Sequence, residues 1–227
     1  MISSSKKQIA DYSNRQSKKY IQNRYIEQCS NMNVSTFFGF LGPTAISYLT
    51  PFYENKVFDK NTIIQSPEYS RKNYLLQLAD IEDFVYRKNI MPSFCNISSL
   101  NYKGAQYTDL DFCNSLEGKS GQNAKTITNF FNIQQSAYVN VEKIFCFTIS
   151  CMYLNRGKDY ITPYVNIDLC IFLSDLLGCK VALKGISKLK MGATYYTIHV
   201  SNMKYDIQVY YYYDEFPMLN INIKSFY

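Results

Sequence analysis

Short apolar runs and segments with a helical spacing of apolar residues alternate along most of the chain. Runs of strand length predict seven strands, at residues 34–41, 61–66, 107–112, 144–153, 195–200, 207–213 and 219–223. Helical spacing predicts helices at 44–55, 69–78, 125–134 and 166–177, and the less regular stretch after Asp80 allows another near 81–88. Pro51 is expected to kink or break the first helix.

The order of these elements predicts an α/β fold. Strands alternate with helices over about 150 residues, which implies a parallel sheet with right-handed crossovers. The last strands have no helices between them, which implies an antiparallel addition at the sheet edge. We therefore predict a doubly wound, mostly parallel seven-stranded sheet with a C-terminal antiparallel hairpin. Residues 1–30 are predicted to form a basic helical extension, and residues 31–227 the α/β domain.

The composition is that of an ordinary globular protein. Apolar residues make up 47% and charged residues 19% of the 227 residues, which excludes disorder of the bulk. No apolar stretch has the length of a membrane span and the first residues are polar, so we expect an intracellular, cytoplasmic protein without a membrane partner. Seven cysteines without a CxxC pair indicate reduced thiols, and a single histidine, His199, disfavours a zinc site and a histidine-dependent hydrolase.

Positive charge is concentrated in two segments of a chain whose net charge is +6. Residues 1–28 hold six basic and two acidic residues, and a second cluster lies between Asp175 and Asp206, where acidic residues are absent. Such clusters attract phosphate backbones and predict RNA or single-stranded DNA as a partner, while a solvated surface is the alternative. The candidate nucleic-acid contacts are Lys18, Lys19, Arg156, Lys158, Lys184, Lys188 and Lys190.

The residues at the predicted strand ends carry a family resemblance. The first strand ends in glycine (FFGFLGP), the second in an acid (IIQSPE), an aspartate follows (LQLADIED), and later strands end TDLDFC and FTIS before a closing hairpin. This order resembles the Rossmann-like methyltransferases that depend on S-adenosylmethionine, over residues 34–224. It implies S-adenosylmethionine as the cofactor.

The resemblance implies a cofactor site at four residues. Gly39 and Gly42 would form the loop against the methionine part of the cofactor, where a missing Cβ allows close approach. Glu68 would accept the two ribose hydroxyls, and Asp80 would meet the adenine amino group. The usual Gly-x-Gly-x-Gly is absent, and Pro43 has no N–H to donate. A plain Gly-Pro turn and capping or solvated acids are the structural alternatives.

Asp109, Asp111 and Phe112 are the candidate catalytic residues. Two carboxylates at i and i+2 of a strand lie on the same face, and placing both at a sheet edge suggests a site. In amino-methylating relatives the corresponding turn reads Asp/Asn-Pro-Pro-aromatic, and here Leu110 and Asp111 replace both prolines.

The sequence also contains residues suited to two other acceptor chemistries. A 2′-oxygen methylation group can be assembled from an N-terminal lysine, Asp111, Lys158 and Glu215, although a lysine-rich chain offers such sets easily. Cys113 is better explained as a packed thiol than as a nucleophile.

Two functions are consistent with these residues. The first is methyl transfer from S-adenosylmethionine to a nucleic acid. The second is a catalytically inactive methyltransferase-like subunit that binds nucleic acid or belongs to a larger complex. The altered glycine loop favours the second function, and the acids at the strand ends favour the first.

Overall fold

A computed structural model describes residues 16–95, 100–112, 116, 122–150, 161–189, 193–213 and 217–226. The chain divides into two compact units, Met1–Asp109 and Leu110–Tyr227. None of the helices among the described residues is both long and apolar enough to cross a membrane.

The first unit contains a parallel sheet. Its helices are α1 (Gln16–Cys29), α2 (Ala45–Glu54) and α3 (Arg71–Ile81), and its strands are β1 (Thr36–Gly39), β2 (Ile63–Glu68), β3 (Ile90–Phe94) and the start of β4 (Tyr107–Asp111). The strands lie in the order β3-β2-β1-β4, and all three pairs are parallel. Chain order therefore reverses beside β1, with β2 on one side and β4 on the other.

Aromatic side chains fill the core of the first unit. Phe37 meets Tyr107 edge to face at 5.2 Å between ring centroids, and Phe52 stacks on Phe58 at 4.7 Å. All four side chains are fully buried. Large rings with this geometry stabilise a core beyond the area they bury, so these contacts help to hold the short β1 against the core.

The second unit contains an antiparallel sheet. Its elements are the helices α4 (Gln122–Ala137) and α5 (Ile161–Leu177) and the strands β5 (Lys143–Ser150), β6 (Val181–Lys188), β7 (Thr194–Val200), β8 (Tyr205–Tyr213) and β9 (Pro217–Ser225). The strand order is β5-β9-β8-β7-β6, and every pair is antiparallel. Phe131 of α4 packs on Phe145, and Phe172 of α5 packs on Phe147, at 5.4 and 6.1 Å between ring centroids.

The predicted α/β class is confirmed, and β8 and β9 form the predicted antiparallel C-terminal hairpin, but the predicted mostly parallel seven-stranded sheet is wrong. The described residues form nine strands, and β6 to β9 make a four-stranded antiparallel meander whose last strand pairs with β5. The sequence pattern missed β3 and β6. Pro92 interrupts the apolar pattern of β3, and Lys184 and Gly185 interrupt that of β6, because both strands lie at an edge where polar residues and proline are tolerated.

The helix predictions differ from the structure at two places. α2 continues through Pro51 to Glu54, so the proline does not break it. The helix allowed near 81–88 is wrong, because α3 ends at Ile81 and a 3₁₀ turn at Arg87–Asn89 leads directly into β3. The assignment of residues 1–30 to an extension and 31–227 to the domain stays a prediction.

Candidate functional site

Gly39 ends β1 beside Asp109 of β4, at the point where chain order reverses. The two residues are paired in register, and the Phe40 N–H donates to the Asp109 carbonyl at 3.3 Å. A Cβ on Gly39 would lie 2.6 Å from Phe37 Cζ and 2.9 Å from the Asp109 carbonyl oxygen. The close approach that requires glycine here is therefore an approach to the protein's own core.

Gly42 forms the turn that follows β1. Its φ is +64°, a left-handed conformation that favours glycine, and it opens the 3₁₀ turn Gly42–Thr44 that leads into α2. A Cβ on Gly42 would meet no atom within 4 Å. The turn thus needs glycine for its backbone and leaves space in front of it.

Two polar side chains of α3, one helical turn apart, bind the Gly42 turn and the start of α2. Gln77 Nε2 donates to the Gly42 carbonyl at 3.0 Å and to Ser66 Oγ at 2.8 Å, and Gln77 is fully buried. Asp80 Oδ2 accepts the Ile46 N–H at 2.9 Å and so caps the first turn of α2. Sequence reasoning missed Gln77, since its i, i+3 spacing to Asp80 does not reveal what either side chain binds.

Glu68 is the last residue of β2, as the sequence predicted. Its side chain is buried, and Oε1 accepts the Ser70 N–H at 2.8 Å. Ser70 is the N-cap of α3 and accepts the Asn73 N–H. The carboxylate is therefore held at the strand end by the turn into the next helix.

Asp109 is held by a residue that the sequence analysis did not single out. The hydroxyl of Tyr48, on α2, donates to Asp109 Oδ2. The two residues are 61 positions apart in the chain, so no local pattern signals the pair. The Tyr48 bond orients the Asp109 carboxylate beside the end of β1.

Asp111 and Phe112 belong to the second unit. Both are partly buried, and the Phe112 N–H donates to the Thr148 carbonyl of β5 at 2.9 Å. Cys113 and Glu215 lie outside the described residues. Among the residues that the structure describes, no cluster of three His, Cys, Asp or Glu side chains is arranged to hold a metal ion.

The candidate nucleic-acid contacts are spread over both units. In the first unit, Lys18 and Lys19 belong to α1, and Lys19 is exposed. In the second unit, Lys184 and Lys188 are exposed on β6. Arg156, Lys158 and Lys190 lie outside the described residues.

Solved methyltransferase structures have a similar fold. The methyltransferase domain of bacterial-CtHen1-CN has a TM-score of 0.50 and 12% identity, over 91% of this chain and 98% of that chain. The delta-N METTL16 MTase domain has a TM-score of 0.47 and 10% identity, over 92% of this chain and 83% of that chain. Precorrin-6y C5,15-methyltransferase from Geobacter metallireducens GS-15 has a TM-score of 0.46 and 11% identity, over 90% of this chain and 87% of that chain. Neither a protein-family model nor a curated protein matches the sequence. The Rossmann-like fold implied by the strand ends is thus confirmed.

Proposed function

We propose that this protein transfers a methyl group from S-adenosylmethionine, with a nucleic acid as the acceptor. The observation that carries the proposal is Glu68, a buried carboxylate at the end of β2. It lies one strand from the place where chain order reverses, and ligands of doubly wound sheets bind beyond the strand ends at such a reversal. A carboxylate there suits a ribose because its two oxygens accept from two hydroxyls.

The residues of the first unit fit such a cofactor. Glu68 would hold the ribose, and the space in front of Gly42 would admit the methionine part, since a Cβ there would point into open space. The cofactor supplies a methyl group on a sulfonium, which leaves the protein mainly with positioning and the exclusion of water.

The acceptor would be held separately from the cofactor. Asp109, oriented by Tyr48, offers a carboxylate that accepts a hydrogen bond from an amino or hydroxyl group. Asp111 remains a candidate for the same role, and Phe112 for stacking on the acceptor base. Basic residues such as Lys184 and Lys188 would attract the phosphates of a nucleic-acid acceptor.

Calorimetric titration with S-adenosylmethionine tests the proposal. We expect the native chain to bind and Glu68→Ala to lose about 1.5 to 3 kcal/mol of binding free energy, the contribution of hydrogen bonds to a charged group. Glu82→Ala, which removes an exposed carboxylate just after α3, is the matched control and should bind like the native chain. Equal affinity in Glu68→Ala, with an unchanged circular dichroism spectrum, would remove the cofactor assignment.

A second candidate is a methyltransferase-like subunit without catalysis. It is favoured by Gln77 and Asp80, which bind the Gly42 carbonyl and the Ile46 N–H with the protein's own side chains. Under this function the folded chain binds nucleic acid and gives no heat with S-adenosylmethionine. The titration above therefore separates the two candidates.

A further inference from the structure

α3 leaves two of its leucines exposed. It buries Gln77 and Ile81, while Leu75 is 56% exposed and Leu78 is 37% exposed. An amphipathic helix normally turns its leucines to the core, so this orientation leaves an exposed apolar stripe on α3 among the described residues of the first unit.

The stripe continues onto the sheet edge. Arg71, Tyr74, Leu75 and Leu78 follow the i, i+3, i+4, i+7 spacing of one helix face. Tyr74 contacts Phe94 of β3 at 5.9 Å between ring centroids, and Phe94 is 54% exposed. Contiguous exposed apolar and aromatic groups mark interaction surfaces. We call Arg71, Tyr74, Leu75, Leu78, Glu82 and Phe94 the α3 face.

We propose that the α3 face binds a second copy of this chain, with the two α3 helices antiparallel about a two-fold axis. When the axis passes between residues 76 and 77, Leu75 lies opposite Leu78 of the second copy. The same axis places Arg71 opposite Glu82 of the second copy. Both residues are exposed, and neither has a salt bridge in the described part of the chain. The face thus places leucine against leucine and positive charge against negative charge, which is the self-complementarity that a two-fold interface requires.

Other occupants fit the face less well. A nucleic acid would meet two aliphatic leucines, and the charge of Arg71 is offset by that of Glu82, so the face has no net attraction for phosphate. A strand added to the edge of β3 would meet Pro92, which has no N–H to pair. Helix packing against a face of the same kind avoids both conflicts.

Mass measurement by light scattering over a concentration series tests the apolar part. We expect the native chain to reach twice the monomer mass at about 100 µM, because a small interface gives a weak dimer. Leu75→Glu should remain monomeric at that concentration. Met203→Glu, at a 93% exposed methionine in the second unit, is the matched control and should dimerise normally.

Charge exchange tests the geometry. Arg71→Glu and Glu82→Arg should each weaken dimerisation about tenfold, since each places like charges opposite each other twice. The double variant, and an equimolar mixture of the two single variants, should dimerise like the native chain, with circular dichroism confirming the fold throughout. A native chain that stays monomeric, a double variant no better than the singles, or loss of RNA binding in Leu75→Glu without a change of mass would each overturn the proposal.

Discussion

Gly39 and Tyr53 differ in how tightly the core of the first unit encloses them. Atoms of Phe37 and Asp109 occupy the space that a Cβ at Gly39 would need. The Tyr53 ring stacks on Tyr86 at 4.2 Å, yet its hydroxyl is buried with no hydrogen-bond partner among the described residues. The packing thus leaves no room for an added atom at Gly39, and it buries the Tyr53 hydroxyl without a compensating hydrogen bond from the described part of the chain.

Gly39→Ala should destabilise the fold by about 1 to 3 kcal/mol, the usual cost of overpacking a filled core. The clash involves a buried ring and a backbone oxygen, neither of which moves easily. The free energy of unfolding in urea measures the effect. Gly185→Ala is the control, because its added Cβ would lie 3.8 Å from the nearest atom and should cost nothing. Equal stabilities of the two variants would contradict the packing argument.

Tyr53→Phe should raise the free energy of unfolding by up to about 1 kcal/mol at pH 7, because it removes a buried hydroxyl without a partner. Burial, with smaller contributions from Tyr86 and Asp59, raises the pKa of Tyr53 to about 12 from 10.0. Because Tyr53 ionises near pH 10 in the unfolded chain and near pH 12 in the folded chain, its ionisation lowers the free energy of unfolding as pH rises from 10 toward 12. The free energy of unfolding of Tyr53→Phe should therefore fall less steeply between pH 10 and pH 12 than that of the native chain. If the free energies of unfolding of the native chain and Tyr53→Phe depend on pH in the same way, the Tyr53 hydroxyl is not buried as described.

At the scale of elements, α3 organises the strand ends of the first unit. Ser70 caps its start beside the Glu68 carboxylate, and Gln77 and Asp80 bind the turn and helix that follow β1. One helix therefore positions both the acid and the glycine turn of the candidate site, while its opposite side forms the α3 face.

Asp80→Ala should lower the free energy of unfolding by about 0.5 to 2 kcal/mol, the cost of losing a helix cap. The lost contact is the 2.9 Å hydrogen bond from the Ile46 N–H. Urea denaturation measures it, and Asp83→Ala at a nearby exposed aspartate is the control. Unchanged stability combined with weaker S-adenosylmethionine binding would instead support the adenine role that the sequence analysis assigned to Asp80.

At the scale of the whole molecule, the net charge of +6 favours association with polyanions. Among the described lysines of the second basic cluster, Lys184 and Lys188 lie on β6, an edge strand with a register shift beside Lys184. Lysine on an edge strand also prevents pairing with other chains, so these residues have a structural explanation beside the functional one.

Binding of a labelled single-stranded oligouridine should weaken as salt rises, with log K falling linearly in log salt. Replacing Lys184 and Lys188 together by glutamine should reduce that slope by about 1 to 1.5, because each contacted phosphate contributes about 0.7 for single strands. The same change at Lys60 and Lys88, exposed in the first unit, is the control. Fluorescence anisotropy gives the slopes. Absence of binding at low salt, or no dependence on salt, would contradict the nucleic-acid acceptor.

The sequence by itself determined the buried strands and the acids that end them. All eight residues of β5 are buried, and Phe37 and Phe38 are buried on opposite faces of β1. Strands that are covered on both faces have continuous apolar sequences, so a short stretch of sequence is enough to recognise them. For the same reason the positions of Glu68 and Asp111 at strand ends followed from the pattern.

Only the tertiary structure decided the edge strands and the contacts of the site. β3 and β6 owe their strand conformation to one neighbour each, and Pro92 and Gly185 hide them from a local pattern. The contacts of Tyr48 with Asp109 and of Gln77 with Gly42 join residues 61 and 35 positions apart. Periodicity records whether a residue is buried, because burial depends on its own face of an element. It does not record which distant residue a buried polar group will meet, since that depends on how the elements pack.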